Sequence, residues 1–192
     1  MKPRSITWPI ALPQATAAAA APELVMDDEA FAAFYQRTAR PLWAYLARVS
    51  GNAAMADDFL QESFVRFLSS PTRPDGEVAC RHYLFAIATN LMRDHWRRTP
   101  VAAIDDLPPA ALPTSDPPDA AAIGRLALLS SAFPRLRPRE RQLLWLAYAE
   151  GNTHREIARI TGLASPSIRI MLFRARRKLA RLLRQRSAGG EL

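Results

Sequence analysis

Seven basic side chains, Arg169, Arg174, Arg176, Arg177, Lys178, Arg181 and Arg184, crowd one stretch near the end of the chain. Guanidinium and ammonium groups at this density bind phosphate. From Phe133 to Arg186 there are 14 Lys and Arg against three acids, Glu140, Glu150 and Glu156. That net of +11 exceeds the +8 of the whole chain, so the remaining segments together are slightly acidic. Such a field draws polyanions, and counterion release makes the binding fall steeply with salt. A second constellation has the opposite sign: Asp57, Asp58, Gln61 and Glu62 share one face of a helix at this spacing. By itself it is an ordinary solvated face.

The basic stretch needs an element that presents it, and the preceding residues supply one. Thr153-His154-Arg155-Glu156 is a capping box, in which the threonine hydroxyl accepts from the Glu156 amide and the glutamate reaches back to the Thr153 amide. Ile157, Ala158 and Ile160 give that short helix a buried side. Gly162 tolerates the left-handed conformation at its end, and Ser165-Pro166 predicts an N-cap and a first-turn proline for the next helix. In this second helix Ile168, Leu172, Ala175, Leu179 and Leu182 recur at alternating spacings of four and three, one inward stripe opposite the arginines. Two helices joined by about three to four residues form a helix-turn-helix, whose second helix enters the DNA major groove.

Enzymatic chemistry finds little support. One cysteine, Cys80, precludes an internal disulfide, and with only His82, His95 and His154 beside it no zinc spacing or Cys/His pair occurs. Seven glycines form no phosphate-cradling loop, and no paired carboxylates or activated nucleophile stand at usable spacing. The expectation is a non-enzyme with no metal and no cofactor. No run of about 18 apolar residues predicts a membrane span. The N-terminus pairs Lys2 and Arg4 with an apolar Trp8 to Leu12, superficially a signal peptide, but Pro9 and Pro13 interrupt it. Residues 1–26 are expected to be a disordered extension, and the protein cytoplasmic.

The remainder divides into two helical blocks. Residues 100–119 hold six prolines with Asp105, Asp106, Asp116 and Asp119, an acidic tether without helical period. Before it, residues 27–99 balance nine acids with nine bases, so the two blocks are built for different tasks. Phe31, Phe34 and Tyr35 start an amphipathic helix; Pro41 begins or kinks a second, which Gly51-Asn52 ends. A third runs from about Ala53 to Leu68, with Met55, Phe59, Phe64, Phe67 and Leu68 inward. After a loop from Ser69 to Val78, a fourth is expected over Tyr83 to Arg98 on a stripe of Leu84, Ile87, Ala88 and Leu91. Tyr83, Phe85 and Trp96 either pack in this core or, beside Arg97 and Arg98, stack a base.

Ordered along the chain, these segments resemble bacterial extracytoplasmic-function (ECF) sigma factors. Ala56-Asp57-Asp58-Phe59-Leu60-Gln61-Glu62-Ser63-Phe64 is similar to their A-E-D-L-V-Q-E-V-F segment, and Tyr83 to Asn90 with Asp94, Arg97 and Arg98 to W-L-x-x-I-A-x-N…D…R. Leu136-Arg137-Pro138-Arg139-Glu140-Arg141, Tyr148-x-Glu150-Gly151, Glu156-Ile157-Ala158 and Arg174-Ala175-Arg176 follow in family order. The resemblance implies an all-α chain of two small helical domains: sigma region 2 over 27–99 and region 4 over 120–186, with a flexible linker over 100–119 and a tail over 187–192. It implies that Asp57, Asp58, Gln61 and Glu62 bind the β′ clamp helices of core RNA polymerase. It assigns Asn90, Arg93, Arg97, Arg98 and the 69–80 loop to the −10 element, where extruding a base costs a few kcal/mol. It assigns Thr153, Ser165, Ser167, Arg169, Ile170, Phe173, Arg174 and Arg177 to the −35 element, with region 4 also meeting the β flap. An arginine on guanine is worth about 1–3 kcal/mol of discrimination. An anti-sigma factor is the further partner implied.

The chain departs from the family pattern in three places. Ser167-Ile168-Arg169-Ile170-Met171-Leu172 stands where T-V-K-S-R-L is common, so Ile170 and Met171 either meet a thymine methyl or enlarge the core. Ala86 and Thr89 replace frequent basic residues, and Tyr83 replaces tryptophan. A free-standing helix-turn-helix regulator of response-regulator type is the alternative, opposed by the whole 53–98 match.

Overall fold

The computed structural model of the chain describes residues 27–98 and 129–188, with side chains to 185. The expected N-terminal extension and proline-rich linker lie outside the described residues. Every regular element among the described residues is helical.

Helix α1, Asp28–Ser50, opens with Asp27, whose carboxylate accepts from the Ala30 amide at 2.7 Å, and with Asp28 and Glu29 in the first turn, where the helix dipole favours negative charge. Gly51 closes it at φ 81°, a conformation that costs a side chain and suits glycine. Pro41 was expected to divide this segment. It instead lies inside one 23-residue helix. The proline forfeits one backbone bond, but Phe34 and Thr38 before it and Leu42, Tyr45, Leu46 and Val49 after it are buried in the same core, which keeps the helix continuous across it.

Helix α2, Ala53–Leu68, takes Asn52 as its N-cap, the side chain accepting from the Met55 amide at 3.0 Å, and buries Ala56, Ser63, Phe64 and Phe67. Helix α3 spans Glu77–Arg98 and so begins six residues before the expected Tyr83. The apolar stripe starts one turn earlier than read: Cys80 lies four residues before Leu84, is buried, and donates its amide to Gly76 O at 3.0 Å. The loop is thereby shortened to 69–76.

In the second half a helical stretch at 129–132 passes through a 3-10 turn, Phe133–Arg135, into α4, Pro138–Tyr148. Proline at the first position of α4 costs no hydrogen bond, because that amide has no partner within the helix. Helix α5, His154–Thr161, carries the expected capping box, and Gly162 closes it at φ 69°. Helix α6, Ser165–Ala188, starts one residue before the sequence reading: Ala164 O accepts from Ser167 N at 2.9 Å and from Ile168 N at 3.3 Å, so Ser165 is the first helical residue and not the cap. Ile168, Leu172 and Ala175 are buried against Leu143, Leu146, Ile157 and Ile160, while Leu179 and Leu182 are half-buried. Full burial of one such aliphatic side chain is worth about 1.5–3 kcal/mol.

The two halves pack on one another. Helix α1 lies against α4 and α3 against α5, and buried residues of both halves join in a single apolar cluster.

Candidate nucleic-acid and partner interface

The α5–α6 unit is a helix-turn-helix held at its start by hydrogen bonds. Glu156 Oε2 accepts from the Thr153 amide and from the Thr153 hydroxyl, both at 2.7 Å, and Thr153 Oγ1 accepts from the Glu156 amide at 3.3 Å. Those bonds from Thr153 hold the Glu156 carboxyl below the usual carboxylate range. At the far end of the turn, residues 163–164 bring α6 across α5 with its inner face fixed by Ile168, Leu172 and Ala175.

What α6 turns outward is a continuous face. Ser167, Arg169, Ile170, Phe173, Arg174 and Arg177 are all exposed, and Thr153, at the start of α5, is exposed as well. Ser165 is half-buried. Ile170 is 54 % exposed and Phe173 51 %, so neither enlarges the core, whereas Met171 packs against it. The sequence left Ile170 and Met171 open as a pair; they divide. The Arg177 guanidinium lies 5.8 Å from the Phe173 ring centroid, a cation–π contact that braces an apolar ring on a basic surface. Lys178 is drawn aside to Glu140 on α4, at 2.7 Å.

The α2 patch is less uniform than its spacing suggests. Asp57 accepts from Trp43 Nε1 at 2.7 Å and Glu62 pairs with Arg66 at 2.6 Å, while Asp58 and Gln61 stand exposed between them. On α3, Asn90 accepts from Arg93 at 2.7 Å and Asp94 lies 3.6 Å from Arg97; Arg93, Arg97 and Arg98 are exposed. Tyr83 is half-buried, its hydroxyl 2.9 Å from Ser70 Oγ, and Phe85 is buried against Tyr45. Packing is the outcome for Phe85. Cys80 is buried, its thiol donating to Pro74 O at 3.0 Å, and burial pushes that thiol above its ordinary range.

Between the halves lies a polar seam that no motif announced. Gln142 Nε2 of α4 donates to the Tyr45 hydroxyl of α1 at 2.8 Å, and that hydroxyl is 2.7 Å from Thr89 Oγ1 of α3, all three side chains being buried. Desolvation pushes Tyr45 up to about 12, so it is a neutral phenol. Beside it Arg81 of α3 pairs with Glu150, which also accepts from Trp145 Nε1 at 3.1 Å. Burial nevertheless raises the Glu150 carboxyl above its usual range by more than Arg81 returns. The ion pair therefore adds little net stability, but removing Arg81 would strand a buried carboxylate. Glu150 was visible in the sequence only within a motif, with no role attached to it.

The geometry of the described residues defines an all-helical protein in which a basic helix-turn-helix packs against a helical module with an acidic outer face. Comparison with known proteins gives this class its family. Residues 34–100 match the model of sigma-70 region 2 and residues 126–179 that of sigma-70 region 4. The chain is 31 % identical over 161 residues to the ECF RNA polymerase sigma factor SigL of Mycobacterium tuberculosis, covering 80 % of this chain and 88 % of SigL. It is 30 % identical over 157 residues to the RNA polymerase sigma factor CarQ of Myxococcus xanthus, covering 81 % and 90 % of the two chains. In fold it is similar to the sigma factor RpoE of Bartonella quintana, solved with the anti-sigma factor NepR, at a TM-score of 0.61 and 21 % identity, covering 80 % of this chain and 96 % of that one. The chain belongs to the ECF sigma factors of the sigma-70 family.

Proposed function

We propose that this sigma factor binds core RNA polymerase through α2, directs it to promoters carrying −35 and −10 elements, and assists duplex opening, the phosphodiester chemistry belonging to the polymerase. The observation that carries the reading is the exposed face of α6, where Arg169, Ile170, Phe173, Arg174 and Arg177 stand together on a helix whose opposite side buries Ile168, Leu172 and Ala175. Such a face offers bidentate guanidinium contacts to guanine and apolar contacts to thymine methyls, which are the means of sequence discrimination in the major groove. Ser165 and Ser167 add hydroxyls for phosphate at the groove edge, and Thr153, its hydroxyl held in the capping box, meets the −35 element at the start of α5.

Residues 27–99 form the region 2 module in this reading, with Asp58 and Gln61 as the open part of the polymerase-docking face and Asp57 and Glu62 at its margin. Asn90, Arg93, Arg97 and Arg98, with the loop before α3, meet the −10 element. Residues 120–186 form the region 4 module, which also touches the β flap, and residues 100–119 join the two. An anti-sigma factor is the regulatory partner, by analogy with the RpoE–NepR complex. No described helix is long and apolar enough to cross a membrane. We place the protein in the cytoplasm with its polymerase.

The test is binding of purified core RNA polymerase, followed by salt-dependent binding of the holoenzyme to fragments carrying −35 and −10 elements. Stable association with core and promoter-dependent retention are expected. Tight DNA binding by the chain alone, with no affinity for core, would instead favour the free-standing regulator.

A further inference from the structure

We infer that an apolar groove between α4 and α6 is the docking site of this chain's own linker, and that residues Val101 to Leu107 fill it. The groove has a volume of about 730 Å³ and is lined by Leu129, Phe133, Trp145, Tyr148, Leu179 and Leu183. Tyr148 is 61 % exposed, and Leu179 and Leu183 are half-buried, so apolar surface is left for a further segment to cover. Among the described residues at the groove the two charged ones are both arginines, Arg48 from the end of α1 and Arg176 from α6. It shares no residue with the face of α6 proposed for the −35 element. What fits here is apolar, with acids at its margin.

Residues 101–107 have that character. Val101, Ile104 and Leu107 recur every third residue, which puts them on one face in a helical turn or in polyproline II conformation alike, and Asp105 and Asp106 lie between the last two. Over 108–119 the single large apolar residue is Leu112. The other apolar run outside the described residues, Trp8 to Leu12, follows Lys2 and Arg4, whose charge opposes that of the two arginines. Reach also favours the linker. Leu129, where the described chain resumes, lines the groove itself. At the other end, Arg37 of α1 pairs with Glu77 of α3, and Tyr45 of α1 bonds with Thr89 of α3. The two helices therefore run in the same direction, and α3 ends toward the end of α1 that carries Arg48. Val101 is three residues beyond Arg98, roughly 10 Å of extended chain, and the 21 residues between Leu107 and Leu129 close the loop with length to spare. Joined at both ends, the segment meets the groove at a high effective concentration, and an outside partner for the same groove must displace it.

The test replaces Ala103, beside the apolar face of the segment, with photo-reactive benzoylphenylalanine in the full chain, and maps cross-links by mass spectrometry after irradiation at low protein concentration. Attachment within one chain to residues 144–149 and 179–183 is expected. Ile104→Asp with Leu107→Asp should cut that yield by about tenfold or more, because two buried aliphatic side chains are lost. Asp105→Asn with Asp106→Asn, or added salt, should cut it by roughly two- to fivefold. Tyr148→Glu, at an exposed position outside the core, should lower it from the groove side while circular dichroism stays helical. Cross-links that land elsewhere, or that survive these variants, would overturn the docking. Cross-links joining two chains would overturn it in favour of a second copy, and no cross-link to the groove would overturn it in favour of a separate partner.

Discussion

Tyr45→Phe deletes one oxygen and should weaken the joint between the two halves. The hydroxyl accepts from Gln142 at 2.8 Å and bonds to Thr89 at 2.7 Å, and the residue has no exposure to water. Without it, Gln142 Nε2 keeps only Thr89 Oγ1, at 3.4 Å, and two buried polar groups are left short of partners. A buried group stranded in this way costs about 1–3 kcal/mol. For a folded unit of this size that is a fall of roughly 4–10 °C in Tm. Because burial lifts the phenol to about 12, it stays protonated across ordinary buffers, and the loss should be the same at about pH 6 and about pH 8. The assay is urea unfolding of wild type, Tyr45→Phe, Gln142→Ala and the double variant. A coupling energy of about 1 kcal/mol between the two sites is expected, as for residues sharing one hydrogen bond. Strict additivity, or a Tyr45→Phe variant as stable as wild type, would refute the seam.

Thr153→Ala should cost about 1 kcal/mol by removing the cap of α5. The Glu156 carboxyl lies below its ordinary range, so the stability it contributes is present above about pH 4.5 and is lost as pH falls through its lower folded value; urea midpoints that fall from pH 6 to pH 3 more steeply in wild type than in Glu156→Gln would show it. Charge reversal on α2, Asp58→Lys with Gln61→Lys, should weaken core binding at least tenfold in a titration while leaving the circular dichroism spectrum unchanged; unaltered affinity would rule out docking by this face. Arg169→Ala should reduce transcription from −35-dependent promoters by about 1–3 kcal/mol of recognition, with core binding retained, as read by transcript yield.

Much of the fold was legible because it rests on local chemistry. The capping box at Thr153, the glycine stops at Gly51 and Gly162, and the four-and-three stripe of α6 each announce themselves within a few residues, and the structure follows them. The misreadings were also local and have local causes. Pro41 breaks the backbone ladder but not the apolar stripe, and burial on both sides outweighed the lost bond. Cys80 was read as a buried or incidental thiol; it is buried, but as the first buried residue of α3, so the helix starts at Glu77. At Ser165 a good capping residue was displaced by the backbone of Ala164, one position earlier.

The candidate site was legible by charge and spacing, but its partition was not. Nothing in the sequence separates Ile170, which faces out, from Met171, which packs in, except the helical angle between them and the position of Ile168. The acidic face was visible, yet the Trp43–Asp57 bond spans 14 positions and the Arg66–Glu62 pair was overlooked. Gln142 lies 97 residues from Tyr45, and no period or motif connects residues so distant. The seam between the modules was therefore invisible until the helices were packed.

The central claim, promoter-specific initiation by the polymerase, is tested most directly by run-off transcription on genomic fragments with purified core RNA polymerase, with and without this protein, sequencing the transcript starts. New, defined starts that share spaced −35 and −10 elements and appear only when the protein is added are expected. An active core preparation that gains no new starts, while the protein demonstrably binds DNA, would contradict it.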